Sequence, residues 1–353
     1  MKQLVILPFM PAANASQAGH RLSFDIIKNI RLTNEVHLFL IVRPHERDVP
    51  PELSELCGNE NIHVAVVENA SIILSWLASG IDDYFRFVTR YTSKISKELV
   101  SYCSSNQFSV VRFEFSQTFK YARDLIDSGC QAKIHISIHD LQLQVILRKN
   151  NLESLLLRWA YRTEKRMLAA ADEIFVLSEK DKVFVQYLLD IDAKVTVVPP
   201  SLSSFVYNIC RIPDKVEKNT LLFWGAMGRV ENESAVLFFV ENILKKLRSA
   251  GYMYKLYVVG SNPGKQIQEL ACAHICVTGF LEDPSIHFEK TSIGIVPLSM
   301  GAGVKLKTLE LLQAGLTVLA SPVGAEGIPG GNEKLIVADI ASFEQELVRM
   351  YEK

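Results

Sequence analysis

The sequence predicts an α/β protein of two successive parallel-sheet domains facing each other across a cleft. Apolar runs of strand length alternate with stretches of helical periodicity from end to end, the pattern left by a parallel sheet covered with helices. The alternation breaks once, around Pro199–Pro200, and restarts at "TLLFWGAMG". A chain of 353 residues also exceeds what one hydrophobic core ordinarily serves.

Residues 1–200 hold the first set of strands: "QLVILPF", "EVHLFLIV", "IHVAVVE", "FSVVRFEF", "KIHISIHD", "EIFVLS" and "KVTVVPP". Helices are expected at "HRLSFDIIKNIRL", at the long amphipathic "ESLLLRWAYRTEKRMLAAAD", and at "SEKDKVFVQYLLD", where Ser178 is the N-cap. Residues 201–218 are polar and lack a period, so they read as a linker. Residues 219–342 resume the alternation with "YKLYVVG", "ICVTGF", "IGIVPL", "LTVLAS" and "KLIVAD". A last helix over 343–353 could pack on either domain. The opening "MKQLVILPFMPAANAS" imitates a signal peptide, but its apolar core is short and broken by Pro8. A first buried strand explains it better.

Hydrophobic residues make up 48% and charged residues 22%, as in an ordinary globular enzyme. A net charge of −1 carries no global footprint for nucleic acid. The six cysteines form no C-x-x-C pair, which suits reduced thiols in a cytoplasmic protein rather than a disulfide framework or a zinc site. No run of about 18 apolar residues suggests a membrane span.

The chemistry concentrates at "GAGVKLKTLELLQAG", residues 301–315. Glycines between a strand and a helix permit positive φ and close approach of a ligand to the main chain. The first helical turn offers unpaired N–H groups and the positive dipole end, which suits a phosphate, and Lys305 adds a cation. Glu310 falls about 40° from Leu306 on a helical wheel, beside the inward face, roughly 10 Å along the axis from Gly303. A carboxylate there could accept from both hydroxyls of a ribose. The alternative is a tight turn followed by a helix whose glutamate pairs with a surface lysine. The spacing fits neither G-x-G-x-x-G nor a P-loop.

The second domain resembles that of GT-B glycosyltransferases of family 4, the "glycosyl transferases group 1". The resemblance rests on "PLSMGAGVKLKTLELLQAGLTVLASPVGAEGI", on "FWGAMGRVENESAVLFF" with Asn232, and on "YVVGSNPGKQIQELA" and "VTGFLEDP". "SIHD", "AADEIFVLSEKD" and "VTVVPP" occur in family order in the first domain. The resemblance implies two Rossmann-like domains and transfer of a sugar from a nucleotide-sugar. It also implies retention of anomeric configuration, no metal and no other cofactor. Glu310 would hold the ribose. Gly225, Arg229, Gly301, Ala302, Gly303, Val304 and Lys305 would surround the diphosphate, with His139, Lys305 and Glu310 as the catalytic set. Many members carry a second glutamate where Ala302 stands here, so sugar recognition falls to other residues.

Strand-end positions and the loop after the first strand supply acceptor candidates: Ser16, Gln17, Gly19, His20, Glu114 and Asp140. His139 resembles a family histidine near the donor sugar, or it merely caps a strand. "DID" at Asp190–Asp192 reads as a solvated turn rather than a metal-binding motif, and "GSNPGK" as a turn. "YFRFVTRYTSKISK" reads as a helix packed by its aromatics, or as a peripheral contact with the inner face of a membrane carrying a lipid-linked acceptor. The leading reading is a glycosyltransferase of cell-surface polysaccharide synthesis that binds a nucleotide-sugar and a saccharide or lipid-linked acceptor. A non-catalytic nucleotide-sugar-binding scaffold and a sugar-nucleotide epimerase on the same plan are the alternatives.

Overall fold

The computed structural model describes residues 1–13, 15, 18–78, 81–148 and 156–352. They divide into two compact units, Met1–Ser201 and Leu202–Lys353.

In the first unit, strands β1 (Lys2–Leu7), β2 (Glu35–Val42), β3 (Ile62–Val66), β4 (Val110–Glu114), β5 (Lys133–Ile138), β6 (Glu173–Val176) and β7 (Lys194–Val197) form one parallel sheet. Their order is β3-β2-β1-β4-β5-β6-β7. The connections carry α1 (Ala18–Arg31), α2 (Pro51–Cys57), α3 (Asn69–Ala78), α4 (Ser93–Asn106), α5 (Phe119–Asp127), α6 (Gln142–Leu147), α7 (Leu157–Leu168) and α8 (Glu179–Val183). Leu4 to Leu7 and Leu38 to Val42 have no exposed surface. Central strands covered on both faces read as unbroken apolar runs rather than alternating ones.

The second unit repeats the plan. Strands β8 (Glu217–Trp224), β9 (Lys255–Val259), β10 (Ile275–Gly279), β11 (Thr291–Val296), β12 (Thr317–Ala320) and β13 (Leu335–Val337) pair in parallel in the order β10-β9-β8-β11-β12-β13. Helices α9 (Val230–Phe239), α10 (Lys245–Ser249), α11 (Lys265–Gln268), α12 (Ser285–Lys290), α13 (Leu306–Gln313) and α14 (Phe343–Tyr351) accompany them. In both sheets the winding reverses beside the first strand, between β1 and β4 and between β8 and β11. Ligands of open α/β sheets bind at such a reversal, beyond the carboxyl ends of the strands.

Two segments differ from expectation, and the last helix, left open between the two domains, takes one of them. Residues 202–217 belong to the second unit, where Val206 is buried in the core. The segment was polar enough to read as a linker because only that side chain and a few neighbours face inward. Helix α14 packs in its own unit, with Phe343 and Leu347 fully buried and the Tyr254 hydroxyl donating to the Leu347 carbonyl (2.7 Å). The aromatic-basic stretch after residue 84 forms a 3-10 turn at Phe85–Phe87 before α4 begins. The helix after Ser178 forms as expected, its hydroxyl accepting from the Asp181 amide (3.2 Å). Among the described residues, no helix is long and apolar enough to cross a membrane.

Candidate active site

At the reversal in the second sheet, β8 runs into Gly225 and β11 into the 297–305 loop. Gly301 and Gly303 both have positive φ, +115° and +70°, so the turn does need residues without a Cβ. Helix α13 begins at Leu306, later than the sequence suggested. The Lys305 side chain is buried and turned back into its own loop. Its Nζ donates to the carbonyls of Ala302 (2.9 Å) and Gly303 (2.7 Å) and to Glu326 Oε2 (3.3 Å). Buried carbonyls need donors, and this lysine supplies them. Lys305 therefore fastens the turn, where a direct phosphate contact was expected. Val304 packs against Gly327 of the next loop. Thr308 Oγ1 donates to the Gly324 carbonyl (2.6 Å), tying α13 to the loop after β12.

Glu310 is buried and does not pair with a surface lysine. Its Oε1 accepts from the Ser203 amide (3.1 Å) and hydroxyl (2.6 Å), and its Oε2 accepts from the Trp224 indole N–H (2.6 Å). A carboxylate offers about four acceptor positions. These bonds fill three of them and aim the group, leaving one on Oε2 for a ligand.

Three residues earlier on the same helix stands Lys307, partly buried. Its Nζ donates to Asn232 Oδ1 and lies 4.8 Å from the centre of the Phe223 ring. Burial, helped by the nearby Arg229, pushes its amine down to about 7. Asn232 is held in turn by donating to the Ala226 carbonyl (2.7 Å). A Cβ on Gly225 would come within 3.1 Å of the lysine nitrogen. A Cβ on Gly260 would come within 1.8 Å of the Gly225 carbonyl oxygen, so the loops after β8 and β9 touch through bare backbone. Arg229 itself is exposed and pairs with Glu231. It acts on the site at a distance rather than by the contact expected of it.

The reversal in the first sheet is built differently. Phe115 follows β4 with φ +65° and lies flat on the His139 ring, centroids 3.8 Å apart. Phe9 packs on Phe115 (4.8 Å) and His20 on Phe9 (4.3 Å). His20 Nδ1 also bonds the Met10 carbonyl (2.7 Å). Gly19 lies in the first turn of α1, under the rings of Phe9 and Phe115. It serves packing there, where ligand approach was expected. Glu114 is fully buried rather than open to an acceptor. It is gripped by Arg112 Nε on one oxygen (2.5 Å) and His139 Nε2 on the other (2.7 Å). Burial alone would raise its carboxyl, but Arg112 and His139 outweigh it and hold it at about 2. Asp140 is exposed at the strand end, and Ser16 and Gln17 lie outside the described residues.

Comparison with known proteins bears on this arrangement directly. Residues 218–353 match the family model "Glycosyl transferases group 1". That stretch, most of the second unit, is similar to the group 1 glycosyl transferases. The whole chain shares its fold with sucrose-phosphate synthase from Thermosynechococcus elongatus, at TM-score 0.69 and 13% identity, covering 100% of this chain and 90% of that one. It also resembles a UDP-forming α,α-trehalose-phosphate synthase from Burkholderia xenovorans in complex with glucose-6-phosphate (TM-score 0.64, 10% identity, 100% and 92% covered). HepE from Anabaena in complex with UDP is similar as well (0.63, 11%, 100% and 89%). The protein thus has the GT-B fold. No curated protein matches its sequence.

Lys307, Ser203, Trp224 and Glu326 of this GT-B protein escaped the sequence reading. For Lys307 a signal existed, since it stands three residues before Glu310 and hence on the same helix face. The others have none, because Ser203 and Glu310 are 107 positions apart.

Proposed function

We propose that the protein is a glycosyltransferase that moves a sugar from a nucleoside-diphosphate sugar to a saccharide or lipid-linked acceptor. In this reading anomeric configuration is retained, no metal or other cofactor takes part, and the product is a cell-surface polysaccharide. The observation that carries the reading is Lys307 and Glu310 on one face of α13, directly behind the positive-φ glycine turn. The sugar's C1–O bond to phosphate breaks and a C1–O bond to the acceptor forms on the same face. The acceptor's hydroxyl proton leaves with the phosphate oxygen. Negative charge grows on the departing diphosphate, where Lys307 and the amino end of α13 stabilise it. The free acceptor position on Glu310 takes a ribose hydroxyl. The UDP in the HepE complex is consistent with that class of donor. Retention, the acceptor class and the pathway rest on the family resemblance.

Contact with a membrane surface is supported by α3, which carries no charged side chain and leaves Ile73, Leu74 and Leu77 52%, 67% and 51% exposed. Apolar residues on an interfacial helix of this kind bury themselves at the acyl boundary. Leu74→Glu should abolish co-sedimentation with anionic phospholipid vesicles, and wild type that stays in the supernatant would exclude this contact.

The donor site is tested by thermal shift against UDP, GDP, ADP, CMP and dTDP and their common sugar conjugates, with wild type and Glu310→Ala. A ligand at about a hundred times its dissociation constant stabilises by roughly 2.7 kcal/mol. The expected result is a shift with one nucleotide family that Glu310→Ala loses. Equal shifts in both proteins would remove Glu310 from the site.

A further inference from the structure

We infer that Glu164 makes α6 a proton-sensitive clasp on the first unit, seated at lower pH and lifted more readily as pH rises. The inference concerns that unit alone and goes beyond the proposed transfer, on which it does not depend.

Helix α6 cannot cap itself. The leading N–H groups of a helix have no partner within it. Leu141, the residue before the first turn, is a buried hydrocarbon with no side-chain group to accept from them. The acceptor comes from α7 instead. One oxygen of Glu164 accepts from the Gln142 amide and the other from the Leu143 amide, both at 2.9 Å. Glu164 is 1% exposed, so seating α6 takes this carboxyl group out of water.

What the group lacks is a cation. On α7 itself Arg158 and Arg162 are exposed, Lys165 pairs with Asp190 and Arg166 with Asp83. On α5, Lys120 pairs with Asp83 and Arg123 with Asp127, while Asp124 accepts from the Tyr91 hydroxyl. The Tyr121 and Tyr161 hydroxyls donate to backbone carbonyls. Asp140 and Arg148, which flank α6, are exposed, and Lys180 of α8 donates to Gln144.

A buried carboxylate without a counter-ion is costly, and two neutral amides offset only part of that cost. Burial is the larger effect here, and it pushes the carboxyl up to about 7 against the two amides, which favour the charge. The protonated form still accepts through its remaining lone pairs, so α6 stays seated on it. Lifting α6 returns the group to water, where a glutamate titrates near about 4.3. The seated state therefore holds the extra proton between those two values. Lifting becomes easier as pH rises through that window and levels off above it. Helix α6 follows the carboxyl end of β5, the end of an open sheet where ligands bind. The clasp thus acts on the binding end of the first unit rather than on its far edge.

The test combines two measurements on the full chain. Carbon-13 NMR of carboxyl-labelled glutamate should show one signal titrating near 7, and Glu164→Gln should remove it. Hydrogen exchange of the α6 amides, corrected for the intrinsic rate, gives the opening constant. It should rise roughly fortyfold from pH 5 to pH 7 and less than about twofold from pH 7 to pH 8. Glu164→Gln carries no charge, so its opening constant should not change with pH. Should that variant fail to fold, the wild-type titration and exchange decide the matter by themselves. A spectrum in which no glutamate titrates above pH 6 would overturn the inference. So would an opening constant that stays flat or falls as pH rises.

Discussion

The two sheets reverse at equivalent places, yet the crevices they open have opposite chemistry. Beyond β8, β9 and β11 the chain is bare backbone, with Gly225, Gly260, Gly301 and Gly303 at positive φ and a lysine amine beside Gly225. Beyond β1 and β4 the equivalent turn is filled by stacked rings, with Arg112, Glu114 and His139 sealed underneath. Topology supplies a crevice in both cases. Side chains decide whether the main chain there is left bare or is covered by rings.

The comparison breaks most severely if a side chain enters the glycine crevice. In Gly260→Ala the new Cβ would meet the Gly225 oxygen at 1.8 Å, with backbone on both sides and nowhere to relax. A loss of roughly 3 kcal/mol in a urea melt, with no remaining nucleotide shift, is expected. A stable, nucleotide-binding variant would show that the two loops do not need their close approach.

Lys307 offers a smaller and more specific lever. Its amine, depressed to about 7 by burial, titrates near 10.4 in the unfolded chain. The unfolded chain therefore holds the extra proton between those values, and stability should rise with pH from about 7 to 10.4. Lys307→Met should flatten that rise. A bound diphosphate favours the charged amine, so nucleotide affinity in wild type should fall above pH 7 by up to about tenfold per unit. Affinity measured across pH 6.5 to 9 by calorimetry checks this, and a flat profile would remove the lysine from the anion site.

The smallest effect is expected on the aromatic side. Phe115→Gly relieves a positive-φ strain while losing a stacked ring, contributions of similar size. Stability should stay within about 1 kcal/mol in the same urea melt. A large loss of stability would mean that the ring stack outweighs the strain of its backbone.

Much of the architecture was legible because buried parallel strands leave unbroken apolar runs, as at Leu38 to Val42. Ser178 was legible because a cap acts within three residues of itself. The site was legible only in part. Glycine at 301 and 303 announces a turn, but nothing local says that Lys305 bends back to satisfy that turn's carbonyls, or that the helix waits until Leu306. Glu310 was read correctly as facing inward, whereas its partners come from distant segments, one of them taken for a linker. Glu114 appeared as an open strand-end carboxylate because one of the groups that close over it, His139, comes from the end of the neighbouring strand.

An amine that is largely neutral just above physiological pH is also a nucleophile. Lys307 should therefore acylate ahead of the surface lysines, whose charged heads are unreactive at the same pH. A covalent probe read by peptide mass mapping would report occupancy of the pocket, since a bound anion would return the proton and silence the reaction.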